Sequence, residues 1–357
     1  MSTHPPRRTF AFVQLLTLLS ISSSACLADD CLEHAWKGTI GKTPVMIELN
    51  SIVGEDKEGG RYYYRTSLVD LLLERDEAAE DRWKEIDPKG KVTGLLTFTC
   101  NENSLSGQWQ SPDGKTKLPI HAEAAASYSE PRLQAVKLQA VRRDSIGSSH
   151  YEIVGVAEVG SVEGLRLLGD AAGLQRINQT LLDQFREDLD NAITCTAYGR
   201  LTRGPDHGFE HQVSFGVVAW SKDYVVISAD ESGFCGGAYP YHGQVMTTYN
   251  LQSGQLEDVS SWLAEAYRKD ISLDSDLGKI LAKFYREQRL PEDADCFDSL
   301  EFSSPWEIWP TETGLTFFPS FSHAQAACEE NISVPFQTIE PFLSPEGRIH
   351  LRSFQGH

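Results

Sequence analysis

Twelve residues, Ser232-Gly-Phe-Cys-Gly-Gly-Ala-Tyr-Pro-Tyr-His-Gly243, hold most of the chain's candidate chemistry. Four glycines, a proline, a cysteine and a histidine in that space demand backbone turns that other residues do not make. Gly236 and Gly237 can offer free N–H groups to an anion or small ligand. They can also take positive φ so that two strands reverse under a disulfide at Cys235, which is the plainer reading. His242, beside Tyr239 and Tyr241, has the type of a proton carrier or ligand, and equally of a hydrogen-bonding turn residue. Asp230 and Glu231 are near enough in sequence to complete a general acid–base set with it. Upstream, His207-Gly-Phe-Glu-His211 spaces two histidines four apart, a ligand spacing only on a helix. Pro205 and Gly208 argue for a loop there, so no metal is expected. The chain has no G-x-S-x-G elbow, phosphate loop, dinucleotide fingerprint or C-x-x-C pair. No catalytic residue and no cofactor is therefore expected. Trp36 and Trp109, with Tyr62–Tyr64, suit either a sugar-binding face or a barrel core.

The elements that carry these residues fall into two groups. Residues 34–121 read as strands: Val45, Ile47 and Leu49 alternate, and Gly59–Tyr64, Val92–Phe98, Leu105–Trp109 and Leu118–His121 follow at short spacing. That spacing suggests a small barrel or sandwich. Leu71–Lys84 is acidic and helix-compatible, a long excursion from a hairpin. Glu123–Pro131 has no strand period and reads as a linker. Beyond it, Leu174, Ile177, Leu181, Phe185, Leu189 and Ile193 recur at helical spacing, giving an amphipathic helix over 171–193. Tyr151–Val159 is strand-like. Val213–Ala219 and Tyr224–Ser228 alternate around Ser221-Lys-Asp223 as a hairpin. The glycine-rich turn and a strand, Val245–Leu251, come next. Shorter helices are expected at Ser260–Lys269 and Leu277–Glu287, a late hairpin at Glu307–Trp309 and Gly314–Phe318, and a last strand at Ile332–Val334 ended by Pro335. The expected fold is α+β: a β-rich module over 29–122, a linker over 123–131, and an antiparallel sheet with helices on one face over 132–357.

Composition bounds the compartment. Arg7 and Arg8, an apolar run from Phe10 to Ile21, and small Cys26 and Ala28 form a signal-peptide pattern over 1–28, too short to span a bilayer. A lipid anchor at Cys26 is the lesser alternative, because the run before it lacks the customary leucine. The formal net charge of −19 becomes −21 once Arg7 and Arg8 are gone. Such a chain repels nucleic acid and anionic lipid and attracts cationic partners. Six cysteines follow the signal: Cys31, Cys100, Cys195, Cys235, Cys296 and Cys328. An even number in an exported chain reads as disulfides. Six cysteines allow fifteen pairings; the expectation is Cys31–Cys100, the only two in the first module, with Cys195–Cys235 and Cys296–Cys328 by proximity along the chain.

Gly236-Gly-Ala-Tyr-Pro240, a strand, Tyr249-Asn-Leu-Gln-Ser-Gly254 and Val259-Ser-Ser-Trp-Leu263 together resemble the C-terminal domain of the anti-sigma factor RsiV, which also accompanies the peptidoglycan deacetylase PdaC. Ile332–Leu343 resembles the end of that domain. The likeness covers about residues 145–345, and Tyr239 stands where the family pattern has histidine. Gly38–Val45 and Ser106–Gly114 are similar to a recurrent exported β-module. The resemblance implies an extracytoplasmic sensing or binding module, in RsiV one that binds lysozyme. This chain shows neither the transmembrane helix of RsiV nor a deacetylase domain. The expectation is a periplasmic or secreted, non-catalytic binding protein of the cell envelope. Its partner would be a cationic protein such as lysozyme, or a peptidoglycan fragment, met by Tyr239, Tyr241, His242, Gly236 and Gly237. An enzyme acting on envelope polysaccharide and a purely structural envelope protein are the alternatives.

Overall fold

The short strands of the first third close on themselves. In the computed structural model, residues 29–32, 34–53, 58–76, 79, 82–269, 271–288, 296, 303–320 and 328–355 are described; the signal-peptide pattern and Cys26 lie outside them. After a helical turn, α1 (Asp29–Leu32), eight strands run in sequence: β1 (Ala35–Ile40), β2 (Thr43–Val53), β3 (Glu58–Tyr64), β4 (Leu71–Arg75), β5 (Arg82–Ile86), β6 (Val92–Asn101), β7 (Ser104–Gln110) and β8 (Lys117–Ala125). Each pairs antiparallel with the next, and β8 returns to β1, so the sheet is a closed barrel. The barrel is filled, because Trp36, Ile47, Tyr62, Leu73, Leu96 and Ile120 meet inside it. Of the aromatic residues that suited a sugar-binding face, Trp36 and Tyr62 are buried inside the barrel, Tyr64 and Trp109 pack partly buried against that core, and Tyr63 is buried in a separate cluster with Met46 and Tyr128. Tyr62 Oη and Trp109 Nε1 each donate to Glu85 at 2.5 Å.

The stretch Leu71–Lys84 departs from its helical reading, since it holds strands β4 and β5. Burial on both sides decides this. Leu73 points into the barrel core, while Leu72 packs outward on Ala197 and Leu201. Two-sided burial outweighs a weak intrinsic preference.

A six-stranded sheet follows: β9 (Gln139–Ile146), β10 (Ser149–Val156), β11 (Val159–Leu168), β12 (Glu210–Trp220), β13 (Tyr224–Phe234) and β14 (Tyr241–Asn250), in spatial order 14-13-12-11-10-9. The pairings are antiparallel except one. β11 and β12 run parallel, because the chain between them crosses back through the long helix α3 (Leu174–Arg203), as a parallel pair requires. Ile177, Leu181, Phe185 and Leu189 of α3 lie on Ile153, Leu165, Val213 and Phe215 of the sheet. The helix outruns its expected end at 193 because Ala197 and Leu201 continue the apolar stripe onto the barrel. It stops at Gly204, whose φ of 102° ends the helical path.

The late hairpin and last strand form their own three-stranded sheet, β15 (Ser303–Pro310), β16 (Gly314–Ser320) and β17 (Ile332–Pro335). It shares a core with α4 (Asp276–Gln288), Trp262 and the closing helix Pro345–Arg352. The whole is α+β with an N-terminal barrel.

Barrel and sheet are joined by a short helix, α2 (Glu130–Ala135), and by buried charge. Asp70, after β3, is 1% exposed. Its Oδ1 accepts from Tyr128 Oη at 3.0 Å and from Arg132 Nη1 at 2.5 Å. Arg61 Nη1 approaches its Oδ2 at 3.4 Å and donates to Thr194 Oγ1 of α3 at 2.9 Å. The Arg132 guanidinium stacks over the rings of Tyr63 and Tyr128. Three disulfides complete the framework, Cys31–Cys100, Cys195–Cys235 and Cys296–Cys328. Among the described residues, no helix is long and apolar enough to cross a membrane.

Candidate functional site

Strands β13 and β14 pair from Tyr224 opposite Asn250 to Gly233 opposite Tyr241. Between them Cys235–Pro240 makes the turn. Gly236 and Gly237 sit at φ of 98° and 100°, in the region that side chains disfavour. At Gly236 a Cβ would also meet Tyr198 Cε1 at 2.9 Å. The Cys195–Cys235 bridge ties the base of this turn to α3. Tyr239, at its tip, is 76% exposed.

Period-two alternation then separates two neighbours in sequence. His242 opens onto a groove of about 970 Å³ between the sheet and the third sheet. Tyr241 turns to the helix-covered side, where its hydroxyl lies 2.6 Å from His211 Nδ1. Tyr239, Tyr241 and His242 therefore occupy three environments: solvent, the helix side and the groove.

The groove carries one sign of charge. Glu163 of β11, Asp230 and Glu231 of β13, Glu307 of β15, and Glu329 and Glu330 before β17 all line it. Among the described residues, no lysine or arginine does. Arg142 reaches Glu163 from the side at 3.9 Å. Gln244 donates to Asp230. Buried Trp309, with Phe318, gives the groove an apolar part. Burial pushes the Glu307 carboxyl above the usual carboxylate range, against an opposing backbone hydrogen bond from Met246. A concave anionic surface of this kind concentrates field and selects cations.

On the helix side His211 is 4% exposed. Its Nδ1 lies 3.5 Å from Glu231 Oε1, so Glu231 touches both the groove and this cluster. His211 Nε2 is buried with no hydrogen-bond partner. Nδ1 and Tyr241 Oη share one hydrogen bond, whose direction follows the tautomer of the ring. Tyr241 Oη also lies 3.4 Å from Cys235 Sγ. Burial, and then Glu231, raise the Tyr241 phenol. Asp188, on α3, accepts from Gln184 Nε2 at 3.1 Å. Its carboxyl is pushed up by burial, against the Gln184 bond and the His211 ring. His207 stays in an exposed loop while His211 enters β12, so the two histidines do not converge.

The Asp188 shift has a sign that can be checked. A carboxyl whose folded pKa exceeds its unfolded value favours the fold in its protonated form. That contribution is complete below the ordinary value of 3.8 and is lost as pH rises through the raised folded value. Asp188→Asn is expected to raise the urea midpoint at about pH 8 and leave it near wild type at about pH 3. A midpoint that falls at both pH values contradicts this.

Reading along the chain finds the turn but not the groove. Glu163, Glu307, Glu329 and Glu330 come from elements far apart in sequence. His211 was within reach, because His211, Val213, Phe215 and Val217 alternate and set it on the buried side of β12. Asp188 had a weaker signal, falling on the buried stripe of α3 between Phe185 and Leu189.

No family model matches the chain, and no curated protein matches it. Solved structures do. A DUF3298 family protein from Bacteroides fragilis is 10% identical, with a TM-score of 0.37 over 61% of this chain and 99% of that one. A DUF3298 family protein from Pseudomonas aeruginosa is 14% identical, with a TM-score of 0.36 over 58% of this chain and 97% of that one.

Proposed function

We propose that the chain is an exported, non-catalytic binding protein of the bacterial cell envelope, periplasmic or secreted, whose acidic groove takes a cationic partner. The observation that carries this reading is the groove itself: six carboxylates around one concavity with no lysine or arginine lining it among the described residues. The formal net charge of −19 acts in the same direction. Three disulfides suit an oxidising compartment, and the leader pattern over 1–28 suits export. Lysozyme is the cationic protein to test first, because the RsiV-like residues imply it; a peptidoglycan fragment is the second ligand. The braced turn puts Tyr239 in solvent at one end of the β13–β14 hairpin, where an aromatic side chain serves as a rigid anchor.

Charge complementarity of this sort acts mainly on the rate of encounter. Lysozyme is expected to bind in a surface-immobilised assay with an association rate that falls about tenfold or more between about 10 mM and 150 mM salt. The triple variant Glu163→Gln, Asp230→Asn, Glu307→Gln is expected to flatten that salt dependence while keeping the wild-type circular dichroism spectrum. Absence of lysozyme binding at low salt removes lysozyme, and an unchanged salt slope in the triple variant removes the groove.

A second reading, an enzyme acting on envelope polysaccharide, is favoured by one feature. Six carboxylates share one groove, and among them the Glu307 carboxyl is raised by its partial burial; glycoside hydrolysis uses two carboxyl groups with unequal affinities for a proton. Release of reducing sugar from cell-wall polysaccharide, abolished in Glu307→Gln, would establish it.

A further inference from the structure

The six-stranded sheet ends in two edge strands, β9 and β14, and the two are treated differently. β9 carries exposed Arg142, Arg143 and Asp144, and its register with β10 slips between Ala140 and Arg142. Charges and bulges of this kind discourage an added strand. β14 has neither device. Its register with β13 is unbroken from Tyr241 to Asn250, and it holds no lysine, arginine or carboxylate. Its even-numbered residues turn their backbone N–H and C=O away from β13. Asn250 N donates to Gln255 O and Thr248 O accepts from Glu257 N, each at 2.9 Å, so the chain itself covers that end of the edge. Midway, the Met246 N–H is directed at the Glu307 carboxyl. His242 and Gln244 continue the same row. Among the described residues their outward N–H and C=O groups make no hydrogen bond, and both residues are exposed.

The turn end of this open stretch is already fixed in place. Cys195–Cys235 holds the hairpin to α3. Tyr241 reaches His211 across Gly233, where a Cβ would meet the Tyr241 hydroxyl at 2.8 Å. A strand held in pairing geometry on one side needs little further ordering to pair on the other. Alternation sets what can be added. His242 and Gln244 line the acidic groove, and Gln244 donates to Asp230. Val245 points to the opposite face and is 55% exposed. A strand laid along β14 therefore puts every second side chain over the carboxylates and the ones between them beside Val245. We propose that His242–Met246 is a docking edge for an extended segment of a partner protein in which basic and apolar residues alternate. This docking mode presupposes that the groove is a cation-binding surface, and adds how the cations are delivered. Main-chain hydrogen bonds to β14 hold the segment, and its alternate lysines or arginines reach the carboxylates.

The test is calorimetric titration of the full chain, at about 10 mM salt, with an end-capped hexapeptide of alternating lysine and valine. Two further copies are N-methylated, one at the lysines and one at the valines, and hexalysine is the fourth probe. In an antiparallel addition directly opposed residues exchange both hydrogen bonds, so the lysine amides face β14; in a parallel addition the valine amides do. One methylated peptide is therefore expected to bind at least about tenfold weaker than the parent, and the other within about threefold of it. Gln244→Pro removes one outward N–H and no hydrogen bond to β13, and is expected to weaken the parent peptide about tenfold at an unchanged circular dichroism spectrum. Should that variant fail to fold, the methylated peptides on the wild-type chain decide alone. The docking edge is overturned by equal affinity of the two methylated peptides, by an unchanged affinity in the folded variant, or by no binding of the parent peptide. Hexalysine tells this failure from that of the groove. If it binds while the edge tests fail, the groove still takes cations; if it does not bind either, both fall.

Discussion

Asp70→Ala is expected to lower the unfolding free energy by about 3–5 kcal/mol, the usual cost of removing one partner from a buried ion pair. Asp70 takes a hydrogen bond from Tyr128, an ion pair from Arg132 and a longer one from Arg61, and all of these side chains are buried. Its loss takes the hydrogen-bonded carboxylate from Arg132, which is 0% exposed, whose Nε and Nη2 make no hydrogen bond and whose remaining ion pair is the longer one to Asp190 at 3.7 Å. The phenol of Tyr128 is pushed well above its ordinary range, by burial first and then by Asp70, and stays a neutral donor. Asp70→Asn keeps the shape and an acceptor for Tyr128 but not the charge, so it is expected to fall between wild type and alanine. The sharper experiment is a double-mutant cycle. Asp70→Ala with Arg132→Met is expected to cost less than the two single changes added together, because the second change removes the cation that lost its carboxylate. Urea denaturation of the four proteins measures it. Additive losses show that the pair is not coupled and that packing alone joins barrel to helix.

Cys195→Ala with Cys235→Ala is expected to cost about 4 kcal/mol, from the chain entropy regained by an open loop of this length. The two cysteines are separated by 40 residues, spanning the end of α3, β12 and β13. The effect has a local signature as well as a global one. Cys235 sits beside the two positive-φ glycines and within 3.4 Å of Tyr241 Oη, so opening the bridge frees the hairpin from α3 at its tip. Amide exchange is expected to rise first around residues 233–242, ahead of the central part of β13 near Val225–Ile227, which is buried. If exchange rose uniformly, the bridge would be acting on the unfolded chain alone.

How far the fold could be read from residues alone depended on how one-sided each element is. Val45, Ile47 and Leu49 alternate because β2 has one face in the barrel core, and all three are buried. The stripe of α3 was clear through Ile193 because it faces a single sheet. Its last turns face the barrel instead, a change of partner that a single period does not announce. β4 was missed for the reason that it is buried on both sides, so Leu72 and Leu73 break the alternation. β9 was missed for the opposite reason: seven of its eight residues are exposed, and nothing in Gln139-Ala-Val-Arg-Arg-Asp-Ser-Ile146 repeats. The site divides in the same way. The Gly236-Gly237 turn is local chemistry and was visible. The groove depends on the parallel return of β12 beside β11 and on a third sheet laid near β14, and no neighbouring residues encode either.

The bridges have a simple order. Counting from the N-terminal side, the first described cysteine joins the second, the third joins the fourth, and the fifth joins the sixth. No loop encloses or interlaces with another. Were the thiols oxidised in order from the N-terminal side, the next one to arrive would be the native mate of each. Refolding from the reduced chain with a plain oxidant is accordingly expected to need no reshuffling enzyme.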